Sequence, residues 1–265
     1  MSAAGFETLI VLLLAHVLGD FVLQTDRIAA EKRALPAFAA HIAHVALLTA
    51  LAVGFAGGGL VLAAVVASHA AMDFLKASVL DRASAGGDPD RRAGLLWTRP
   101  PPIGAFLIDQ GVHIAVIAAV ALSAPEAARA GGLGWIFGEP GAPALLLQSL
   151  VVVVALIALL PMGSIMIRVA TGEFAAETKP EDGGMTGAGR AIGYVERIIV
   201  LALALGGEFG AVGFVIAAKS ILRFGDLARG EDRKTSEYII FGTLMSFAWA
   251  LVVALLARTG LSVPG

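Results

Sequence analysis

All five histidines of the chain, with three aspartates beside them, lie at spacings that pair side chains on helix faces. Residues three or four positions apart share one face of a helix, with Cβ atoms roughly 5–6 Å apart. Four successive helices therefore each offer two candidate ligands on one side. The pairs are His16 with Asp20, His41 with His44, His69 with Asp73, and Asp109 with His113.

Imidazole and carboxylate groups without thiolate are ligands that suit zinc, iron, manganese or nickel, and the residue types do not choose among these metals. The chain has no cysteine, so thiolate sites and disulfides are excluded. We predict that these eight residues hold a divalent metal ion (zinc, iron or manganese), and that Asp20 or Asp73 acts as a catalytic base. Two alternatives stay open. The cluster could carry protons, or each histidine could simply satisfy its own aspartate.

Other polar residues accompany these pairs. Gln24, Lys76 and Gln110 flank them, and we predict that they bind substrate or hold the ligands in place; Lys76 could instead extend to the membrane interface. Lys219 and Arg223 form a basic pair further along the chain. They are predicted to bind an anionic headgroup, or alternatively to form an ion pair with Glu196.

The composition predicts an all-α polytopic membrane protein. The chain is 58% hydrophobic and 15% charged, whereas soluble domains are about 25% charged, so a soluble enzyme is disfavoured. A membrane helix needs roughly 20 apolar residues, and about eight stretches qualify. They cover 6–24, 37–55, 58–78, 102–123, 143–169, 190–206, 208–224 and 237–257. We predict an N-terminal four-helix bundle domain (1–124) that carries the cluster, and a C-terminal four-helix domain (125–265) with polar cytoplasmic loops.

The distribution of Lys and Arg predicts the orientation. These residues gather in the odd-numbered loops, whereas the even loops and both termini contain only Arg129 and Arg258. Odd loops are therefore expected in the cytoplasm and both termini in the periplasm. In this orientation every His/Asp pair lies within about three helical turns of the cytoplasmic surface.

Several of these motifs resemble one family of bacterial inner-membrane proteins. The stretch from His16 to Asp26 (HVLGDFVLQTD) resembles the opening motif of the domain of unknown function 3307 family, and the resemblance extends over roughly 5–120. Later residues, from Gly189 to Tyr238, resemble a C-terminal extension of longer members. The resemblance implies a membrane protein of the bacterial inner membrane and this set of polar residues, but no reaction.

The leading functional hypothesis is a metal-dependent membrane hydrolase that acts on a lipid-linked or amphipathic substrate at the cytoplasmic leaflet. A looser similarity to membrane-bound metal-dependent hydrolases points the same way. The alternative is a transporter for a metal ion or a proton-coupled solute. Haem ligation ranks lowest, because carboxylates accompany nearly every histidine. The expected partner is a lipid or amphipathic small molecule and not a nucleic acid, and a homo-oligomer stays open.

Overall fold

The computed structural model describes residues 1–32, 34–54, 59–80, 102–131, 143–175, 187–227 and 233–263. This part of the chain is helical and contains no strand, which confirms the all-α prediction. The helices are α1 (Ala3–Leu18), α2 (Asp26–Ala30), α3 (Leu35–Val53), α4 (Gly59–Leu75), α5 (Pro102–Ser123), α6 (Pro143–Ile157), α7 (Gly163–Ala175), α8 (Ala188–Leu205), α9 (Phe209–Leu227) and α10 (Arg233–Leu261).

The chain divides into two compact units, Met1–Ile157 and Ala158–Ser262. In the first unit, α1 packs on α3 and α5, α3 packs on α4, and α4 packs on α5, so each of these four helices contacts two of the others. The unit also contains α6, which packs on α1 and lies beyond the predicted division at residue 124. In the second unit, α10 packs on α7 and α8.

Local residue chemistry explains several helix ends. Ser2 caps α1, because its hydroxyl accepts a hydrogen bond from the Gly5 amide at 3.1 Å. Proline opens α5 and α6 and lies in the first turn of α3, where its missing N–H has no helical partner to lose.

Two π-helical turns continue helices of the first unit. Gly19–Leu23 extends α1 and contains Asp20, and Lys76–Leu80 extends α4 and begins with Lys76. A π-helical turn changes the direction in which the following side chains project, and such turns recur at functional sites. The two turns therefore change the directions in which Asp20 and Lys76 project, and the sequence analysis had selected both residues.

A buried ion pair holds the segment after α5 against α1. Arg129 donates to both carboxylate oxygens of Glu7 at 2.7 and 2.9 Å, and Glu7 is only 1% exposed. The hydrogen bond to Glu7 raises the pKa of Arg129. Thr8 accepts from the Ala128 amide and donates to the carbonyl of Pro125. The sequence analysis had counted Arg129 only as a loop charge.

Six of the described helical segments are long and apolar enough to cross a membrane. They are Ala3–Leu23, Leu35–Val53, Gly59–Ser78, Ile103–Ser123, Ala144–Gly172 and Lys234–Leu261. Large apolar side chains on their surfaces are exposed, for example Leu60 at 89% and Leu122 at 67%. These features indicate association with a membrane.

The count of eight spans stays a prediction, because α8 and α9 fall short of that standard. Helix α8 contains Arg190, Glu196 and Arg197, and the apolar part of α9 is limited to Phe209–Ile221. Six spans and eight spans are both even numbers, so either count leaves the two termini on the same side of the membrane.

Candidate metal centre

Helices α1, α3, α4 and α5 bring seven of the eight predicted ligands together in the interior of the first unit. None of these residues is more than 7% exposed. They form three overlapping groups in which potential ligand atoms lie within 4.8 Å of one another. The seven are His16, Asp20, His41, His69, Asp73, Asp109 and His113.

Four atoms from three helices converge at the centre of this cluster. The Nε2 atoms of His41 and His69 are 3.1 Å apart, and they lie 3.0 and 3.5 Å from Oδ2 of Asp73. Oδ1 of Asp20 lies 3.6 Å from the first nitrogen and 3.3 Å from the second. A tetrahedral ion with bonds of about 2.0–2.1 Å holds its ligand atoms roughly 3.3 Å apart. The separations among His41, His69 and Asp73 therefore fit a single small cation, and these three residues form one group of potential ligands, whereas Asp20 belongs to another.

Hydrogen bonding among the side chains does not satisfy this arrangement. Each imidazole nitrogen directs one hydrogen or one lone pair in the plane of its ring, so it serves one partner well. Here both Nε2 atoms face each other and two carboxylate oxygens. Oδ1 of Asp20 has no hydrogen-bond partner although it is buried. A buried polar atom left in this way normally has an explanation such as an ion.

Two of the three His/Asp pairs within single helices are too far apart to hydrogen-bond well, and the third, His69 with Asp73, is 3.5 Å apart. His16 and Asp20 approach to 3.8 Å, and Asp109 and His113 approach to 3.7 Å. Both distances exceed the range of a good hydrogen bond. The shorter contacts join different helices, so the structure does not support a reading in which each histidine simply satisfies its own aspartate.

Charge is unevenly balanced in the cluster. Lys32 Nζ lies 2.9 Å from both oxygens of Asp73, and Lys76 Nζ lies 2.8 Å from Oδ2 of Asp109. Within the described part of the chain, Asp20 has no lysine or arginine partner and faces only histidines. An unpaired carboxylate is costly in a buried site. A proton or a cation beside Asp20 would remove that cost.

A second part of the cluster lies around His113. Its ring stacks on that of His69 with centroids 4.1 Å apart, and neither of its ring nitrogens has a hydrogen-bond partner. His16 Nε2 contacts Oε1 of Gln110 at 3.2 Å, and the Gln110 amide donates to Asp109 at 3.0 Å. Gln110 thus contacts both His16 and Asp109, and its predicted role in holding ligands or substrate stays a prediction.

Comparison with known families agrees with the motif resemblance. Residues 8–130 match the family described as protein of unknown function (DUF3307), and they include every member of the cluster. Residues 8–130 form a DUF3307 domain. No curated protein and no solved structure matches the chain.

One predicted ligand of the DUF3307 domain lies apart from the others. His44 is half-buried and belongs to none of the three groups of potential ligands. Three residues turn a helix by roughly 300°, so His44 is offset by about 60° from His41. That rotation is enough to take His44 away from the centre, to which His41 points.

The sequence analysis missed one residue of the DUF3307 domain that contacts the centre. Lys32 had served only as one of the loop charges that predict the orientation in the membrane. In the structure, Lys32 donates hydrogen bonds to both carboxylate oxygens of Asp73, which lies 41 positions later in the sequence. Gln24 supports it: in the amide orientation that satisfies both neighbours, Gln24 donates to the Asp20 carbonyl oxygen at 3.0 Å and accepts from Lys32 at 3.1 Å. No spacing rule connects a loop lysine with a distant helix.

The remaining predicted binding residues lie in the second unit. Lys219 pairs with Glu196 at 2.5 Å, which confirms the ion pair that was the alternative to a headgroup site. Arg223 is in α9, but its side chain lies outside the described residues.

Proposed function

We propose that this protein is a membrane-embedded, metal-dependent hydrolase that acts on a lipid-linked or amphipathic substrate at the cytoplasmic leaflet. The convergence of the two imidazole nitrogens of His41 and His69 and one carboxylate oxygen of Asp73 at separations of 3.0–3.5 Å carries the proposal. When bound, a divalent ion (zinc, iron or manganese) supplies Lewis acidity that polarises an ester or phosphoryl oxygen.

The protein residues divide into ligands and a base. Catalytic zinc sites typically use three protein ligands and leave a fourth position open. We assign the ligands to His41, His69 and Asp73, whose atoms form one of the three groups. Asp20 is then the base that takes a proton from the attacking water, because no lysine neutralises it and its Oδ1 faces both ligand nitrogens. His16, 3.8 Å from its other oxygen, is placed to receive that proton.

Features at the lysine end of the cluster support an amphipathic substrate. The side chains of Lys32 and Lys76 are 18% and 25% exposed, so they can reach an anionic headgroup. Apolar side chains of the turn that contains Asp20 and of the last part of α4 are also exposed, including Val22 at 50% and Phe74 at 65%. A headgroup at the lysines would leave an acyl or prenyl chain against this apolar surface.

The proposed location is the bacterial inner membrane, with both termini in the periplasm and the lysine end of the cluster towards the cytoplasm. Excess Lys and Arg in the odd loops supports this orientation. Reporter fusions after residue 265 are expected to show periplasmic activity, and fusions within 82–99 cytoplasmic activity. A cytoplasmic C-terminus would contradict the orientation, and together with cytoplasmic fusions within 82–99 it would mean an odd number of spans.

A second candidate function, proton-coupled or metal-ion transport, has one observation in its favour. A small cavity adjoins His16, His69 and His113 and extends away from the lysines, along Leu12, Val65, Ile117 and Thr49. Apart from the three histidines, Thr49 and Ser68 are its polar lining residues, and the other five are apolar. A transport path needs polar or hydrated groups along its length. The one-sided placement of the charged residues favours the hydrolase.

Removal of the Asp20 charge tests the proposed chemistry. Wild-type protein in lipid nanodiscs, supplied with zinc, manganese or ferrous iron in turn, is expected to hydrolyse an amphipathic phosphate or carboxylate ester. Asp20→Asn should lower kcat by about 100-fold or more, because general base catalysis typically contributes 10²–10⁴-fold. Glu31→Gln removes an exposed carboxylate on the neighbouring segment and should leave kcat unchanged.

The same preparations separate the two functions. If no ester is hydrolysed with any of the three metals, while proteoliposomes show wild-type-dependent uptake of metal ions or protons, the transporter replaces the hydrolase. Hydrolysis that is equally fast in Asp20→Asn would remove Asp20 from the role of base.

A further inference from the structure

The second unit contains a buried cation of its own. Arg197 lies on α8 and is only 4% exposed. Its Nη2 donates to Ser164 Oγ at 2.8 Å, and its Nη1 donates to Ser246 Oγ at 3.2 Å. These serines belong to α7 and α10, so the guanidinium lies where three helices of the unit meet.

This guanidinium has no counter-charge among the described residues. The neighbouring Glu196 is engaged by Lys219 instead. Nε of Arg197 is buried and has no hydrogen-bond partner. Arginine keeps its charge in proteins and carries five N–H donors, of which the serines take two. A buried charge without an opposite charge costs several kcal/mol, so the arrangement is incomplete without an anion.

We propose that Arg197, Ser164 and Ser246 bind the phosphate group of an anionic ligand. A guanidinium presents its donors in a planar fork that matches phosphate oxygens, and such charge-assisted hydrogen bonds are among the strongest in proteins. Both serine hydroxyls accept from Arg197, so each retains its own hydrogen to donate to a phosphate oxygen. The site would thus offer donors from three side chains to one anion.

The residues around Arg197 suit a lipid. One turn earlier, α8 has Gly193, where a Cβ would lie 3.4 Å from Nη1 of Arg197. The flanking residues Val195 and Ile198 are 57% and 43% exposed and could contact an acyl chain. The phosphate could therefore belong to a phospholipid headgroup, or to a free phosphate that reaches the same donors.

Thermal unfolding in nanodiscs tests the site and its source of phosphate. Protein in phosphatidylcholine nanodiscs is titrated with phosphatidylglycerol in one arm, and with inorganic phosphate at constant ionic strength in the other. A saturable rise in Tm is expected in at least one arm: phosphatidylglycerol alone indicates a headgroup, and inorganic phosphate indicates a free anion. Arg197→Gln should raise the concentration for half-maximal effect by about 10- to 100-fold, the loss typical of a hydrogen bond to a charged group.

Two further variants keep the result interpretable. Arg190→Gln removes an exposed arginine from the same helix and should leave the midpoint within about twofold of wild type. Ser164→Ala removes one hydroxyl and keeps the charge, so it tests the site even if Arg197→Gln does not fold; it should weaken binding by a smaller factor. Absence of a saturable shift in both arms would overturn the proposal. So would equal effects of Arg190→Gln and Arg197→Gln, since they would indicate attraction by surface charge.

Discussion

His69→Ala is expected to abolish stoichiometric binding of a divalent metal ion. In the presence of metal, the Tm of the variant should therefore equal the Tm of wild-type protein treated with chelator. His69 Nε2 lies 3.1 Å from His41, 3.5 Å from Asp73 and 3.3 Å from Asp20. The substitution therefore removes the nitrogen that is in contact with all three of these residues. Metal at 100 times its Kd adds about 2.7 kcal/mol to the free energy of unfolding, and the variant should lack this term. Elemental analysis and thermal unfolding, each with and without chelator, measure both effects.

The chain provides a matched control for this experiment. His44 is also an intramembrane histidine, but it lies outside the cluster. His44→Ala should therefore retain the metal and the response to chelator. Gln24→Ala removes the hydrogen bond that holds the Asp20 backbone carbonyl and no ligand atom, so it should weaken metal affinity by about 10- to 100-fold. If wild-type protein contains no stoichiometric metal and chelation changes neither Tm nor activity, the hydrolase loses its chemical basis and a proton relay becomes the better explanation.

Lys32→Met is expected to destabilise the metal-free protein by about 3 kcal/mol. The Asp73 side chain is 1% exposed, and Lys32 contacts both of its oxygens, so the substitution leaves a buried carboxylate without its cation. A divalent ion would supply the missing positive charge, and the loss should shrink when metal is added. By the reciprocity of linkage, the variant should also bind metal more tightly than wild type.

Chemical denaturation in matched nanodiscs or detergent, with metal and with chelator, measures this effect. Arg27→Met is the control, because Arg27 pairs with Glu31 on the surface, where the two side chains are 83% and 53% exposed. Exposed ion pairs typically contribute less than about 1 kcal/mol, so this variant should change little in either condition. A Lys32→Met protein that is as stable as wild type in both conditions would mean that Asp73 is not an ionised partner of Lys32.

Features that depend on local residue chemistry were predictable from the amino-acid sequence. Hydropathy located the helices, because crossing the hydrocarbon requires a continuous apolar stretch. Helical periodicity placed His16 with Asp20 and His69 with Asp73 on common faces, because 3.6 residues per turn fix the direction of neighbouring side chains. The family that these residues resemble was confirmed by a match to its model over residues 8–130.

Which of these side chains contact one another depends on how the helices pack. Packing fixes the rotation of each helix about its own axis, and that rotation directs His41 into the centre and leaves His44 outside it. The closest contacts, such as Lys32 with Asp73 and Glu7 with Arg129, join residues 41 and 122 positions apart. Sequence spacing contains no information about such contacts, because their partners are brought together by the burial of apolar faces on separate helices. For the same reason, the position of the Arg197 guanidinium between Ser164 and Ser246 depends on the packing of α7, α8 and α10.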